Sequence, residues 1–343
     1  MIQIPAKRGA SFSKVSGGGL PGFSIIGNEI EKVRELMDEQ HSDCSGTVRE
    51  MISYADVGGG KMLRPAMVLL SGLAVGKLTQ KHIVTAAIIE LLHNATLLHD
   101  DVLDDGKSRR GKPTINALMG NEPAVLLGDF LLSKVFKMSA GLDLRVMGII
   151  AAATAKTCEG EIRQIAQRGN WVFNEREYLD VIAEKTAALF EASCMLGAIQ
   201  SGASRKQEKA IGEYGRKVGI AFQITDDLLD LAGDRKKTGK AVGNDLDKNK
   251  MTLPVINFLQ AADKSEKGLV RRVLSRNGDK SAISIAERKD LLEKLKENGC
   301  LSYASRRAGK FIDDAVEAIS VLKPNKATKG LIEISRFVVE RTA

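Results

Sequence analysis

Apolar residues recur at intervals of three and four positions along most of this chain, which is the spacing of one face of an α-helix. Alternating β-branched and aromatic runs between turns, which indicate strands, are missing from the sequence. The pattern therefore predicts an all-α protein. The segments with the helical pattern are 79–105, 122–139, 143–168, 174–202, 204–233, 301–321 and 326–341.

Glycine and proline mark where the helical pattern stops. Residues 16–23 read Ser-Gly-Gly-Gly-Leu-Pro-Gly-Phe and predict a flexible N-terminal arm over 1–24, followed by one large all-α domain over 25–343. Segment 263–300 is richer in charge, with a predicted turn at 276–279, and we interpret it as a peripheral helical hairpin; a second domain is the alternative. Prolines are expected at helix starts or ends: Pro65, Pro113, Pro123, Pro254 and Pro324.

Composition places the chain among folded globular proteins. It has 343 residues, of which 43% are hydrophobic and 27% charged, enough to bury a core without disulfides or metals. No apolar run approaches the roughly 18 residues of a membrane helix. The N-terminal residues lack the apolar segment of a secretory signal, so we expect a cytoplasmic protein, with a short organellar leader as the alternative. Free thiols are expected at the widely spaced Cys44, Cys158, Cys194 and Cys300.

The charge balance points to an anionic partner. Lys and Arg number 51 and Asp and Glu 43, a formal net charge of +8. Nucleic acid or an anionic membrane would suit such a surplus. A nucleic-acid binder also needs a basic face with aromatic or groove-reading elements, and Trp171 is the single tryptophan. We therefore expect no nucleic-acid partner and look for the anion where the basic residues cluster.

Two aspartate clusters with the same spacing carry the clearest chemical signal: Asp100, Asp101 and Asp104, and Asp226, Asp227 and Asp230. On a helix, the first and last aspartate of each cluster lie one turn apart on the same face. Carboxylates this close repel each other unless a cation neutralises them. Oxygen ligands without His or Cys favour Mg²⁺, which completes its shell with water and phosphate oxygens. The clusters predict a Mg²⁺-bound diphosphate; a solvated helix end is the alternative for either cluster alone.

Basic residues accompany both clusters. Lys61 and Arg64 follow a glycine run at a helix start, where backbone amides favour an anion. The turn with Arg109 and Arg110 follows the first cluster and can fold back beside it. Arginine suits bidentate phosphate recognition and lysine supplies a mobile charge. A single basic residue is ordinarily a solvated surface charge, so the clustering singles these out. Further candidates are Lys185 beside Thr186, and Lys240 and Lys250 on either side of 243–245.

Taken together and in order, these motifs resemble those of the trans-isoprenyl diphosphate synthases. The resemblance covers about residues 27–342. It implies an all-α bundle of antiparallel helices around a central cavity, usually as a homodimer, with the aspartate motifs facing each other across its mouth. The matching motifs are Gly59-Gly60-Lys61, Arg64-Pro65, His93, His99-Asp100-Asp101-x-x-Asp104, Arg109-Arg110-Gly111, Gly160-Glu161, Gln164, Lys185-Thr186, Phe222-Gln223-x-x-Asp226-Asp227-x-x-Asp230, Gly239-Lys240, Gly243-Asn244-Asp245 and Lys250-x-Thr252-Leu253-Pro254.

The resemblance also implies the reaction and the residue roles. An allylic diphosphate ionises, isopentenyl diphosphate adds to the cation, and proton loss to the released diphosphate gives a chain one isoprene unit longer. Mg²⁺ would be held by Asp100, Asp104 and Asp226, with support from Asp101, Asp227 and Asp230. Isopentenyl diphosphate would bind Lys61, Arg64, His93 and Arg110. The allylic diphosphate would bind Arg109, Lys185, Thr186, Gln223 and Lys240, with Lys250 as a further substrate-binding residue. For His93 alone, a core histidine on an apolar face is the alternative.

Product length is expected to depend on the residues one helix turn below the first aspartate motif. Ala95 and Thr96 lie there and are small. Each helix turn of roughly 5.4 Å accommodates about one more isoprene unit. We therefore predict a long-chain product of the kind used for quinone side chains, released through transient membrane contact. The alternatives are a short-chain (geranylgeranyl or farnesyl) synthase, a regulatory subunit and a class I terpene cyclase; the last two are disfavoured by the two intact aspartate motifs.

Overall fold

The structure, a computed structural model, describes residues 22–232, 244–274 and 285–340. Within these ranges the chain is helical nearly throughout, which confirms the predicted all-α class. The helices are α1 (Phe23–Glu39), α2 (Gly46–Ala55), α3 (Leu63–Val75), α4 (Gln80–Leu103), α5 (Ile115–Met119), α6 (Asn121–Ser139), α7 (Leu144–Ala166), α8 (Glu175–Ile182), α9 (Ala188–Gln200), α10 (Arg205–Ala232), α11 (Asn244–Asp247), α12 (Leu253–Ala261), α13 (Lys264–Leu274), α14 (Ile285–Glu297), α15 (Cys300–Ala318) and α16 (Lys326–Glu340).

Most helix boundaries fall within two residues of the expected ones, and the exceptions have identifiable causes. The predicted helix 174–202 is instead α8, a π-helical turn over Ala183–Ala187, and α9. A π-helical turn changes the apolar spacing too little for a sequence pattern to reveal it. Pro113 lies in a short antiparallel pair of strands, β1 (Ser108–Arg109) and β2 (Lys112–Pro113), rather than at a helix end. Helix α1 begins at Phe23, two residues before the predicted start of the domain at residue 25.

The described residues form two compact units, each built from several chain segments. The first unit contains the residues up to Ala152, Leu189–Gly215 and Ala318–Phe337. The second contains Ala153–Ala188, the described part of Arg216–Glu317, and the residues from Val338 onward. Each aspartate motif therefore belongs to a different unit. A single catalytic domain over 25–343 stays a prediction.

Helix α4 forms the centre of the first unit and packs against α1, α3 and α6. Its apolar residues surround the helix on nearly all sides, as expected of a buried helix rather than a surface one. Helix α9 packs closely on α3 in the same unit. The approach is so close that a Cβ atom at Gly197 would lie 2.0 Å from the carbonyl oxygen of Val68. Only glycine permits that approach, so Gly197 is a packing requirement of the fold.

In the second unit, α8 packs on α12, α12 on α14, and α13 on both α11 and α14. Helix α12 begins at Leu253 with Pro254 in its first turn, where the missing N–H of proline costs no helical hydrogen bond. Among the described residues, no helix is long and apolar enough to cross a membrane.

Candidate active site

The first aspartate motif lies at the C-terminal end of α4. Asp100 and Asp101 belong to its last turn, and Asp104 is the residue that follows the last helical residue, Leu103. The amide of Asp104 donates a 2.9 Å hydrogen bond to the carbonyl oxygen of Asp100, so the turn that joins them is intact. The negative end of the helix dipole adds to the three carboxylates. This end of α4 is therefore a site that favours a cation.

The β1–β2 hairpin folds back onto this motif. At its turn, Arg110 and Gly111 both have positive φ values, 51° and 76°, which is the pattern of a type I′ hairpin turn. The Arg109 guanidinium donates two hydrogen bonds to the Asp101 carboxylate, at 2.9 and 2.8 Å. Such bidentate pairs are short and directional. Arg109, predicted to bind the allylic diphosphate, is thus paired with Asp101 in this structure.

Three arginines converge on His93, which lies two turns before Asp100 along α4. Arg64 is buried in the first turn of α3, with its guanidinium 4.4 Å from the centre of the Phe190 ring. Burial lowers the pKa of His93 well below its ordinary value, and the charges of Arg64, Arg109 and Arg110 lower it further. The imidazole is therefore neutral at pH 7. Cations gathered around a neutral donor form a site suited to an anion.

Glu90 is a buried carboxyl close to these arginines, and the sequence motifs did not predict it. Burial raises the pKa of its carboxyl, while the charges of Arg64, Arg110 and Arg34 act in the opposite direction. A Cβ atom at Gly60 would lie 2.7 Å from Arg110 and 3.5 Å from Glu90, so the glycine run approaches both side chains. The sequence does contain a sign of this site, because Glu90 is a lone glutamate within an apolar run. A buried charged residue seldom lacks a partner, so its position indicates a basic neighbour.

A cavity of about 130 Å³ opens beside these arginines in the first unit. Arg110 reaches a carboxylate there, with its Nη1 3.4 Å from Asp56. Lys61 is exposed, and its amino group lies 5.5 Å from the centre of the Phe337 ring. The four residues predicted to bind isopentenyl diphosphate thus belong to one unit. The cavity is lined by residues that include Tyr54, Asp56, Asn94, Asp101, Arg109 and Arg110.

In the second unit, α10 carries the second aspartate motif. Asp227 is buried and accepts hydrogen bonds from the Tyr178 hydroxyl at 2.7 Å and from Nε2 of Gln223 at 2.8 Å. The Thr186 hydroxyl donates to Oε1 of Gln223 at 2.6 Å. Burial raises the pKa of the Asp227 carboxyl and the charge of Asp245 adds to the rise, while the two hydrogen-bond donors oppose it.

The π-helical turn presents Lys185 to α7. The Lys185 amino group donates to Oε1 of Gln164 at 2.7 Å and forms an ion pair with the buried Glu161. A Cβ atom at Gly160 would lie 2.3 Å from the backbone nitrogen of Lys185, so glycine is required for this approach. The motif Gly160-Glu161 with Gln164 therefore supports the lysine, a role that the sequence pattern alone did not assign.

Asp245 and Lys250 lie beside the second aspartate motif and line the same cavity as Asp227. The amide of Asp245 donates to Oδ2 of Asp230 at 2.9 Å, and the Lys250 amino group lies 3.5 Å from Oδ1 of Asp245. Asp245 belongs to the motif Gly243-Asn244-Asp245, but the sequence predicted no specific role for this residue. Lys240 lies outside the described residues. A cavity of about 50 Å³ is lined by residues that include Gln164, Lys185, Gln223, Asp227, Asp245 and Lys250.

The residues predicted to set product length occupy two environments on α4. Ala95 has none of its surface exposed, whereas Thr96 is half-buried and its hydroxyl donates to the carbonyl oxygen of His93 at 2.8 Å. Both follow the same face of α4 that leads to Asp100. Their predicted role in chain length stays a prediction.

Comparisons with known proteins agree with this arrangement. The family model for polyprenyl synthetase matches residues 45–290. Octaprenyl diphosphate synthase of Escherichia coli (strain K12) is 34% identical over 324 residues, which cover 91% of this chain and 99% of that protein. A short chain isoprenyl diphosphate synthase of Methanothermobacter thermautotrophicus is 34% identical over 325 residues, covering 93% and 98%.

A solved structure gives the same result for the fold. The decaprenyl diphosphate synthase from Rhodobacter capsulatus matches with a TM-score of 0.87 and 35% identity, over 94% of this chain and 98% of that one. The protein is thus a prenyltransferase with the all-α isoprenoid synthase fold. It belongs to the polyprenyl synthetase family, which confirms the family that the motifs indicated.

Proposed function

We propose that this chain is a long-chain trans-polyprenyl diphosphate synthase, which adds isopentenyl diphosphate units head-to-tail to an allylic diphosphate. One observation carries the proposal: the first unit gathers Arg64, Arg109 and Arg110 around neutral His93 beside an aspartate motif. Three cations at a helix end with carboxylates suit a diphosphate and its metal. The octaprenyl relative supports the long-chain product, and a quinone side chain is its proposed use.

The chain's own residues would bind and orient the two substrates. Lys61, Arg64 and Arg110 would hold isopentenyl diphosphate, with His93 as a neutral hydrogen-bond donor. Lys185 and Gln223, with Arg109 and Thr186, would hold the allylic diphosphate. The allylic C–O bond breaks, its electron pair leaves with the diphosphate, and the isopentenyl double bond attacks the cation. The released diphosphate then takes the proton, so no side-chain base is required.

The aspartates fit Mg²⁺ as the metal partner. Asp100 and Asp104 lie one turn apart at the negative end of α4 and are half-buried, and the donor set is oxygen alone. The described residues contain no group of three or more His, Cys, Asp or Glu side chains arranged to hold a metal. Mg²⁺ ordinarily uses one or two carboxylates with water and phosphate oxygens. Asp100, Asp104 and Asp226 are proposed ligands for Mg²⁺ ions, which would neutralise charge on the departing diphosphate.

The small residues Ala95 and Thr96 support a long product, because an aromatic side chain at either position would block the path of the growing chain. Because a short-chain synthase is 34% identical as well, the measured product length separates the long-chain proposal from the short-chain alternative. A homodimer is proposed on the exposed apolar residues of α6, Val125, Leu126 and Phe136. We further propose a cytoplasmic protein that contacts membranes transiently during product release.

The decisive experiment incubates purified protein with Mg²⁺, labelled isopentenyl diphosphate and geranyl, farnesyl or geranylgeranyl diphosphate. Products are dephosphorylated and sized by reverse-phase chromatography. We expect chains well beyond the geranylgeranyl length. Products that stop at farnesyl or geranylgeranyl would identify a short-chain synthase, and no turnover with any primer would favour a regulatory subunit. Asp104→Asn should abolish turnover, whereas Asp290→Asn, an exposed position on α14, should not.

A further inference from the structure

Tyr178 is a buried tyrosine on α8 for which neither the motifs nor the reaction gives a role. Only 4% of its surface is exposed. Its hydroxyl donates the 2.7 Å hydrogen bond to Oδ2 of Asp227, a residue 49 positions away on α10. Asp227 itself is only 6% exposed. Tyr178 and Asp227 both line the cavity of about 50 Å³, so this contact places Tyr178 beside the second aspartate motif.

The bond from Tyr178 is the first of three hydrogen bonds whose directions depend on one another. Oδ1 of Asp227 accepts a hydrogen bond from the amide nitrogen of Gln223, so the amide oxygen of Gln223 faces Thr186. A carboxylate only accepts hydrogen bonds, and an amide oxygen requires a donor, so the Thr186 hydroxyl must donate. The order Tyr178–Asp227–Gln223–Thr186 therefore sets which way the Gln223 amide is turned.

The last members of this series belong to the proposed allylic diphosphate site. Gln223 lines the cavity beside Lys185, and Thr186 follows Lys185 on the π-helical turn. Without the Tyr178 hydroxyl, Oδ2 of Asp227 would lose its donor in a buried setting. The carboxylate could then rotate and release the Gln223 amide, which would present different atoms to the substrate.

We infer that Tyr178 is a positioning residue for the allylic diphosphate site, acting through Asp227 on the orientation of Gln223 and Thr186. The inference rests on the proposed function for the identity of the ligand. It goes beyond that function because no motif assigns Tyr178 a part in the reaction. The rival explanation is a purely structural tyrosine that satisfies a buried carboxylate and stabilises the fold.

Tyr178→Phe removes the hydroxyl and keeps the ring, and Tyr214→Phe is the matched control. Tyr214 is fully buried too, and its hydroxyl donates to the carbonyl oxygen of Leu331 at 2.6 Å, away from both aspartate motifs. We expect Tyr178→Phe to lower kcat roughly 10- to 100-fold, the usual effect of losing a supporting contact. The KM for isopentenyl diphosphate should stay within about twofold, since its proposed binding residues lie in the first unit.

Calorimetric binding of inorganic pyrophosphate with Mg²⁺ gives a readout that needs no turnover. Tyr178→Phe should weaken this binding roughly tenfold, whereas Tyr214→Phe should leave it unchanged and alter only thermal stability. If the two variants differ only in stability, with equal kcat and equal pyrophosphate affinity, Tyr178 is structural and the inference is wrong. A wild-type protein without product from any primer would overturn the proposed function instead, and pyrophosphate binding would still decide the role of Tyr178.

A double-mutant cycle tests whether Tyr178 acts through Gln223. In a Gln223→Leu background the orientation of the amide no longer exists, so adding Tyr178→Phe should lower kcat by less than about threefold further. If the fold decrease in kcat of the double variant equals the product of the two single-variant decreases, Tyr178 acts independently of Gln223. That result would contradict the inference. Circular dichroism and thermal unfolding of each variant establish that the comparison is made between folded proteins.

Discussion

His41 follows α1 and is almost fully buried, and neither of its ring nitrogens has a hydrogen-bond partner among the described residues. Burial lowers its pKa from 6.5 to about 4, and the charge of Lys134 contributes. The unfolded chain therefore binds a proton at a higher pH than the folded one does. The neutral, buried His41 therefore makes the free energy of unfolding depend on pH. This free energy is highest above pH 6.5, and it falls by at most about 1.4 kcal/mol per pH unit as the pH decreases towards 4.

We predict that the midpoint of thermal unfolding falls between pH 7 and pH 5 more steeply in the wild type than in His41→Leu. The leucine variant has no proton to bind, so this part of the pH dependence should disappear. Scanning calorimetry at pH 7, 6 and 5 measures the difference. Parallel pH profiles for the two proteins would show that His41 does not titrate on unfolding.

Ala95 and Thr96 allow a direct test of product length. Thr96→Phe places an aromatic ring on the half-buried position below Asp100 and should shift products towards farnesyl or geranylgeranyl length. Ala95→Phe should do the same, but it also overpacks a fully buried position, at a cost of about 1–3 kcal/mol. Chromatographic sizing measures the product, and Thr96→Val, which is close to threonine in volume, is the control. Unchanged products in both phenylalanine variants would remove these residues from chain-length control.

At the scale of residues, charged side chains in unusual positions could be recognised in the sequence, but the residues that they contact could not. Six aspartates in two equal spacings are conspicuous in any sequence. The pairing of Tyr178 with Asp227 joins residues 49 positions apart, and nothing local signals it. Glu90 was visible as a charge in an apolar run, but its arginine neighbours come from α1, α3 and the hairpin, which only the fold brings together.

At the scale of elements, Gly160 determines how closely α7 and the π-helical turn approach. We predict that Gly160→Ala destabilises the protein by about 1–3 kcal/mol, because the new Cβ would lie 2.3 Å from the backbone of Lys185. Turnover should also fall, since Lys185 would move. Gly148→Ala on the same helix is the matched control.

A Cβ atom at Gly148 meets nothing within 4 Å among the described residues, so alanine there should stabilise α7 by up to about 1 kcal/mol. Thermal unfolding and steady-state kinetics of both variants measure the contrast. Equal stability of the two alanine variants would contradict the close approach at Gly160.

Helix positions were predictable where burial repeats with the helical period, as in α10 and α15. The π-helical turn was not, since one extra residue in a turn barely disturbs apolar spacing. The hairpin after α4 was expected as a turn only. Its strands are two residues long and carry Arg109 rather than apolar side chains, so they leave no alternating pattern to read.

At the scale of the whole molecule, the homodimer is the proposal that the surface of α6 allows us to test. Leu126 and Phe136 are 66% and 71% exposed, which is unusual for large apolar side chains on one helix. We predict that Phe136→Glu shifts the protein from dimer to monomer, because a charge would be buried in the interface. Light scattering after size-exclusion chromatography measures the mass.

Val321→Glu is the control for this variant, as Val321 is 46% exposed and lies outside α6. It should leave the dimer intact. A wild-type protein that is monomeric at micromolar concentration would contradict the homodimer, and a dimer that survives Phe136→Glu would place the interface elsewhere.

The family could be recognised from the sequence because its motifs occur in order over most of the chain, whereas the division into two compact units could not. Each unit is assembled from separate segments, and α7 and α10 carry residues of both. Sequence continuity therefore says little about which residues pack together at this scale.

The bidentate pair of Arg109 and Asp101 has a consequence for selectivity. Since the guanidinium already has a partner, an incoming ligand gains only the difference between its own contact and that of the carboxylate. A prenyl alcohol offers a single neutral oxygen and cannot match two charged ones, whereas a diphosphate can. If Arg109 binds the allylic diphosphate as proposed, the intramolecular pair would act as a threshold that discriminates against prenols and admits their activated esters.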